Sequence, residues 1–329
     1  SVIGCALVAS GVFGASFQTR LIPFMLCYSC IVGTGIGVGY NPPMVAGWSW
    51  FPDKKGMVNG IILTGFGAGG FIFNKIGTSI VNPDGLSTPF PPEVSAAFPT
   101  MLRKLAGMYA VMSIVGSLLI KRNDAIEAQA KGAAVPEATG IEFKDAIRSK
   151  KFFTLWLMIL ATAGPMLNMG NLYKKFAISS GSEAISSDVF QSTMGGIGAI
   201  FNGLGRLFWG AVVDVYGFEK PYGVIALMEV ALLLMLPRVT HSKALFGTVL
   251  CGIFFCLGGN FVVFPTVNAK TFGVRNAPEI YSVLFTSFAV AAIGGAKLSQ
   301  KFLGQVGWNG LINGMSGVAL MGLVLLNLL

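Results

Sequence analysis

Apolar residues run through this chain in long blocks, not in strand-like alternation and not in a narrow helical stripe. A helix needs about 20 mainly apolar residues to cross roughly 30 Å of hydrocarbon. Ten blocks approach or exceed that length, near 1–17, 21–50, 57–81, 101–120, 152–173, 189–213, 222–237, 244–270, 279–299 and 306–329. The second holds Pro42 and Pro43 and the eighth Pro265, so kinks or tilts are expected there. Residues 82–100 contain Pro83, Pro89, Pro91, Pro92 and Pro99 and are predicted to form an extended external loop. Residues 121–151 carry Lys121, Arg122, Lys131, Lys144, Arg148, Lys150 and Lys151. They are predicted to form a cytoplasmic linker, with 141–151 as an amphipathic surface helix. The organisation expected is therefore a partial N-terminal helical bundle of four spans over 1–120, the linker over 121–151, and a six-helix bundle over 152–329.

Composition narrows the class. Of 329 residues, 53% are hydrophobic and 11% charged, against about 25% charged in a soluble domain; mean hydropathy is +0.71. These values exclude a soluble enzyme, a disordered chain and a secreted disulfide module. The fold class is all-α integral membrane, multi-pass, in a plasma membrane or an organelle's inner membrane. The 44 glycines fit closely packed membrane helices. A net charge of +9 is read as basic loops facing an anionic lipid bilayer, not as a nucleic-acid surface. Cys27 and Cys30 form a C-x-x-C, but inside an apolar block a redox or metal role is not expected. Gly35 through Gly39 and Gly65 through Gly69 lack the preceding strand that a nucleotide loop needs. No zinc spacing, nucleophile elbow or catalytic dyad occurs, so neither an enzyme nor a cofactor is expected. Ser1 lies inside an apolar run, and an upstream segment is expected.

The two halves echo each other. The second block ends Gly39-Tyr40-Asn41-Pro42-Pro43 and soon reaches Phe51-Pro52-Asp53-Lys54-Lys55-Gly56; the eighth ends Gly259-Asn260-Phe261-Val262-Val263-Phe264-Pro265 and soon reaches Phe272-Gly273-Val274-Arg275. Repeated units of this kind suggest a duplicated transporter. The run Gly33 to Gly39, then Trp50-Phe51-Pro52-Asp53-Lys54-Lys55-Gly56, then Gly65-Phe66-Gly67-Ala68-Gly69, resembles helices four and five of the major facilitator superfamily. The similarity is to its oxalate/formate antiporter-like and monocarboxylate branch. Phe201-Asn202-Gly203-Leu204-Gly205-Arg206 and Gly210 through Asp214 to Gly217 resemble helix eight and the loop after it; Gly258 to Pro265 resembles helix ten. The resemblance implies a two-bundle fold in which the ten blocks correspond to helices three to twelve, the first two being absent.

Arg206 is the sharpest candidate for chemistry. It lies eight residues before Asp214, which places it about 12 Å into the bilayer at 1.5 Å per residue. A guanidinium at that depth needs a partner or a wet cavity, and its fork matches a carboxylate. The resemblance implies an acid four residues earlier, where Asn202 stands, and a lysine midway along helix eleven, where Phe288 stands. The first departure leaves Arg206 more of its positive field for substrate but removes a protonatable partner; the second favours a monoanion over a dianion. Asn168 and Asn171, after Pro165, are read as amides beside a proline-broken helix, and Asn260 as their match on helix ten; each could equally serve interhelical hydrogen bonding. Tyr281, with Tyr40, Phe66 and Phe285, could wall the pocket. Asp53 and Asp214, at helix ends, are read as gating or structural acids that meet a neighbouring helix N-terminus. Val215 and Phe218 replace the basic residues that the resemblance implies, which weakens that latch. Glu229, mid-way in an apolar block, is read as a proton-coupling candidate, a lipid- or neighbour-bonded acid, or a contact with another protein.

Together these readings predict a secondary active transporter of a small organic anion by alternating access, with proton or counter-anion coupling. The competing expectation is a non-transporting structural subunit of a larger membrane protein complex.

Overall fold

A computed structural model of the chain describes residues 2–83, 92–121, 123 and 141–329. The described residues are helical and joined by short turns: α1 (Val2–Ala15), α2 (Leu21–Trp50, with a π-helical stretch at Leu26–Ile31), α3 (Lys55–Val81), α4 (Pro92–Leu119), α5 (Phe143–Ala146), α6 (Lys150–Ser179), α7 (Glu183–Ser186), α8 (Asp188–Tyr216), α9 (Glu219–Met235), α10 (Lys243–Phe272), α11 (Ala277–Leu284) and α12 (Thr286–Leu326). Among them, eight stretches are long and apolar enough to cross a membrane. The first expected span is a helix of only 14 residues. The last two expected spans lie in one apolar stretch, Ala277–Leu326, of 50 residues. At 1.5 Å per residue that is about 75 Å, more than two bilayers' hydrocarbon. It is divided at Gly307, whose φ of 65° is a left-handed conformation that glycine takes without strain.

Three local expectations need correction. The predicted loop over 82–100 is shorter, because α4 begins at Pro92; proline is tolerated in a first turn, where its missing N–H would have no partner. Residues 84–91 and most of 121–140 lie outside the described residues. The predicted surface helix over 141–151 is only the turn of α5, since Ser149 accepts from the Phe152 N–H at 3.2 Å and starts α6. Third, Pro165 does not break its helix. α6 runs from Lys150 to Ser179, with residues 161–166 all buried, and that packing outweighs the lost hydrogen bond.

The chain divides into two compact units. One comprises 2–52 and 69–121; the other comprises 53–68 and 141–329. In the first, α1 packs against α2 and α4 around Val12, Ala15, Leu102 and Ala106. In the second, α8 pairs with α10 and α6 with α12, while α9 lies against α10 and α12. α8 and α10 approach so closely that a Cβ on Gly258 would strike the Asn202 carbonyl oxygen. Gly56 and Gly210 likewise meet backbone to backbone where α3 crosses α8. Small residues thus set the helix spacing, as packing in lipid favours.

Gly258→Ala should destabilise the protein by about 1–3 kcal/mol through overpacking, whereas Gly116→Ala, with open space around its Cβ, should be neutral or stabilising. Thermal unfolding in detergent reads both.

Candidate functional site

α8 carries Arg206 into the interior of the second unit, where the side chain is 6% exposed. Its Nε donates to the Asn202 Oδ1 at 3.1 Å, and its Nη1 donates to the Leu63 carbonyl of α3. Both acceptors are neutral oxygens, so neither hydrogen bond cancels the charge. The Asn202 amide is oriented from its other end, because its Nδ2 donates to the Phe254 carbonyl of α10 at 3.1 Å. An aspartate at 202 would turn an oxygen to that carbonyl in place of a donor. The guanidinium carbon stands 4.8 Å from the centre of the Phe261 ring, within cation–π range. Phe261 stacks on Phe288 at 4.9 Å, Phe288 contacts Phe285 at 4.8 Å, and Phe285 meets Tyr281 edge-on at 5.8 Å. An aromatic ladder therefore runs from the guanidinium across α10 to α11 and α12. Gly67 of α3 borders the same guanidinium, and a Cβ there would lie 3.7 Å from its carbon.

Arg206 and Asn202 are thus in direct contact, while Tyr281 stands at the far end of the ladder, three rings from the guanidinium. The other amides do not join them. Asn168 is buried and donates from Nδ2 to the Gly164 carbonyl at 2.8 Å and to the Ala291 carbonyl of α12 at 3.2 Å. Asn171 is exposed. At about 100° per residue it sits roughly 60° around α6 from Asn168, past the edge of the buried stripe. Asn260 is fully buried; its Oδ1 lies 3.0 Å from the Thr162 hydroxyl and its Nδ2 is directed at the Met166 sulfur. Side-chain placement at Phe66 lies outside the described residues.

The sequence reading missed Phe261, Leu63 and Gly67. Phe261 stands 55 positions from Arg206, and no local pattern links them. The spacing of Tyr281, Phe285 and Phe288 at helical intervals was the signal for the ladder.

A second cluster lies two turns along α8. Asp214 accepts from the backbone N–H groups of Gly56 and Met57, each at 2.8 Å. Those groups are the open N-terminus of α3, where an anion is favoured by the helix dipole. The Lys270 Nζ stands 3.8 Å from the same carboxylate, so α10 supplies a basic residue where Val215 and Phe218 cannot. Asp53 is exposed beside this cluster. Glu229 is wholly buried, so the lipid-facing reading of it is wrong; α9 turns it into the bundle.

No family model matches the chain. Curated proteins do. It is 26% identical over 337 residues to apicoplast pyruvate carrier 1 of Toxoplasma gondii, covering 88% of this chain and 61% of that protein. It is 27% identical over 294 residues to the oxalate:formate antiporter of Oxalobacter formigenes, covering 88% and 65%. It is 21% identical over 355 residues to monocarboxylate transporter 9 of Gallus gallus, covering 84% and 68%. The likeness is to major-facilitator transporters. The expected resemblance therefore holds, and with the apolar helices it makes this an integral, multi-pass, all-α membrane protein of that transporter fold. The chain spans 61% and 65% of the length of the first two of these relatives.

Asp214→Ala leaves two N–H groups at the start of α3 without their acceptor, a loss of about 1–2 kcal/mol. Amide exchange at Gly56 and Met57 should accelerate by about tenfold, with Asp214→Asn intermediate, as read by hydrogen–deuterium exchange.

Proposed function

We propose that this chain belongs to a secondary active transporter of a small organic monoanion, a short monocarboxylate, with Arg206 as the anion anchor. The observation that carries the reading is a buried guanidinium whose Nε donates to an amide oxygen and whose Nη1 donates to a backbone carbonyl, with an aromatic ring within cation–π range. A cation so placed in a membrane protein is costly unless it serves an anion. Phe288, in the ladder where the resemblance implies a lysine, offers apolar surface and no second charge, which suits one carboxylate with a short apolar tail. The relatives' names add pyruvate, oxalate, formate and monocarboxylates as the cargo of those proteins. Asp214 at the start of α3 supports alternating access, because it is a contact that one state can make and another release. Tyr281 and Asn202 act as wall and orienter. Asn168 and Asn260 hold helices together, and Asn171 lies outside the site. Antiport against a second anion is compatible with the same anchor.

Arg206→Lys keeps the charge but loses the fork, removing a charge-assisted hydrogen bond worth roughly 1.5–3 kcal/mol. In proteoliposomes, uptake of a short monocarboxylate should fall by about tenfold or more, with a far smaller change in thermal unfolding. Wild-type uptake by the folded variant would contradict the anchor, and no uptake by the unaltered protein would favour a structural subunit. Asn202→Asp should raise the half-saturating anion concentration, because its carboxylate competes for the guanidinium; a lowered value would count against the same assignment.

A further inference from the structure

Among the described residues, two formally charged side chains are buried inside the protein: Arg206 and Glu229. Glu229 sits mid-way along α9, 0% exposed, and neither of its carboxyl oxygens has a hydrogen-bond partner. α9 lies against α10 and α12, with lesser contact to α6 and α8. Tyr222, two turns earlier on α9, and Cys256 of α10 are buried as well, and among the described residues the one other buried charged side chain is that of Arg206 on α8.

A carboxylate stripped of water and of donors is too costly to persist, so something must neutralise it. Among the described residues no basic side chain hydrogen-bonds to it. A metal ion needs several oxygen, nitrogen or sulfur ligands. No group of three or more His, Cys, Asp or Glu residues among the described residues could hold one. A proton needs one oxygen only.

We propose that Glu229 is a proton-binding site separate from Arg206, loaded and released as the anion passes. The resemblance implies an acid beside the arginine, but that position here is Asn202, an amide that takes no proton. The acid of the bundle has moved to α9. A buried polar series leads from α9 through α6 to α10. A Cβ on Gly322 would meet both the Tyr222 hydroxyl at 2.7 Å and the Thr162 methyl at 2.8 Å. The Thr162 hydroxyl in turn reaches Asn260 at 3.0 Å. Asn260 immediately precedes Phe261, the ring under the guanidinium. Its shift with the bound anion would be felt along this series toward α9. Proton binding stands on the geometry of Glu229 alone; the link to transport rests on the function proposed above.

The test uses full-length protein in lipid. Infrared difference spectroscopy of wild type against Glu229→Gln reads the carbonyl stretch of a carboxylic acid without hydrogen bonds. Such a band should be present at neutral pH and vanish in the variant. Carboxylate bands in its place, or no difference, overturn the site. Uptake driven by an acid-outside gradient should fall by about tenfold in Glu229→Gln, while exchange of anion for anion falls far less. Glu229→Met is neutral without adding an unpaired amide, and it should reproduce that split. Unchanged gradient-driven uptake in either folded variant overturns the coupling. So does equal loss of both activities, which marks a packing role. A null result for Arg206→Lys would remove the anchor and leave the infrared band standing.

Discussion

One constraint organises the second unit: a guanidinium that cannot lose its proton is held away from water. Two hydrogen bonds and a ring contact answer that constraint with uncharged groups. An amide and a backbone carbonyl take two of its N–H groups, and a phenylalanine ring takes one face. An acid in place of Asn202 would have satisfied the guanidinium more strongly and left less field for a ligand. In the proposed reading the site trades local stability for attraction to an anion.

The surrounding helices make that arrangement possible. α8 reaches its neighbours through glycine, so that Arg206 lies between α3 and α10 at backbone distance from both. The same close approach brings Asp214 to the open N-terminus of α3. Arg206 and Asp214 thus sit on one helix, two turns apart, and both contact α3. Glu229 on α9 is the buried acid of the same unit, and the proposal gives it the changeable charge that Arg206 lacks.

The fold was legible because a bilayer imposes a length rule that apolar blocks obey whatever their details. Where the rule is silent, the reading faltered. Pro92 was assigned to a loop because proline commonly ends helices, but it opens α4. Pro165 was expected to open α6, but burial on every side holds the helix closed. Arg206 and Glu229 were legible as charges where charge is costly. Phe261 was not, since a ring matters to a cation only through a crossing of helices that no local pattern encodes. Asn168 and Asn171 looked alike in sequence and differ because three steps of about 100° leave them roughly 60° apart around α6, enough to decide which amide faces a neighbour.

The most direct measurement is a solid-state NMR distance between a carbon-13-labelled carboxylate of a short monoanion and the nitrogen-15-labelled Arg206 guanidinium, in the reconstituted protein. The account predicts dipolar coupling at bidentate range, about 4 Å from carboxyl carbon to guanidinium nitrogen. Saturable binding of the anion without that coupling would contradict it.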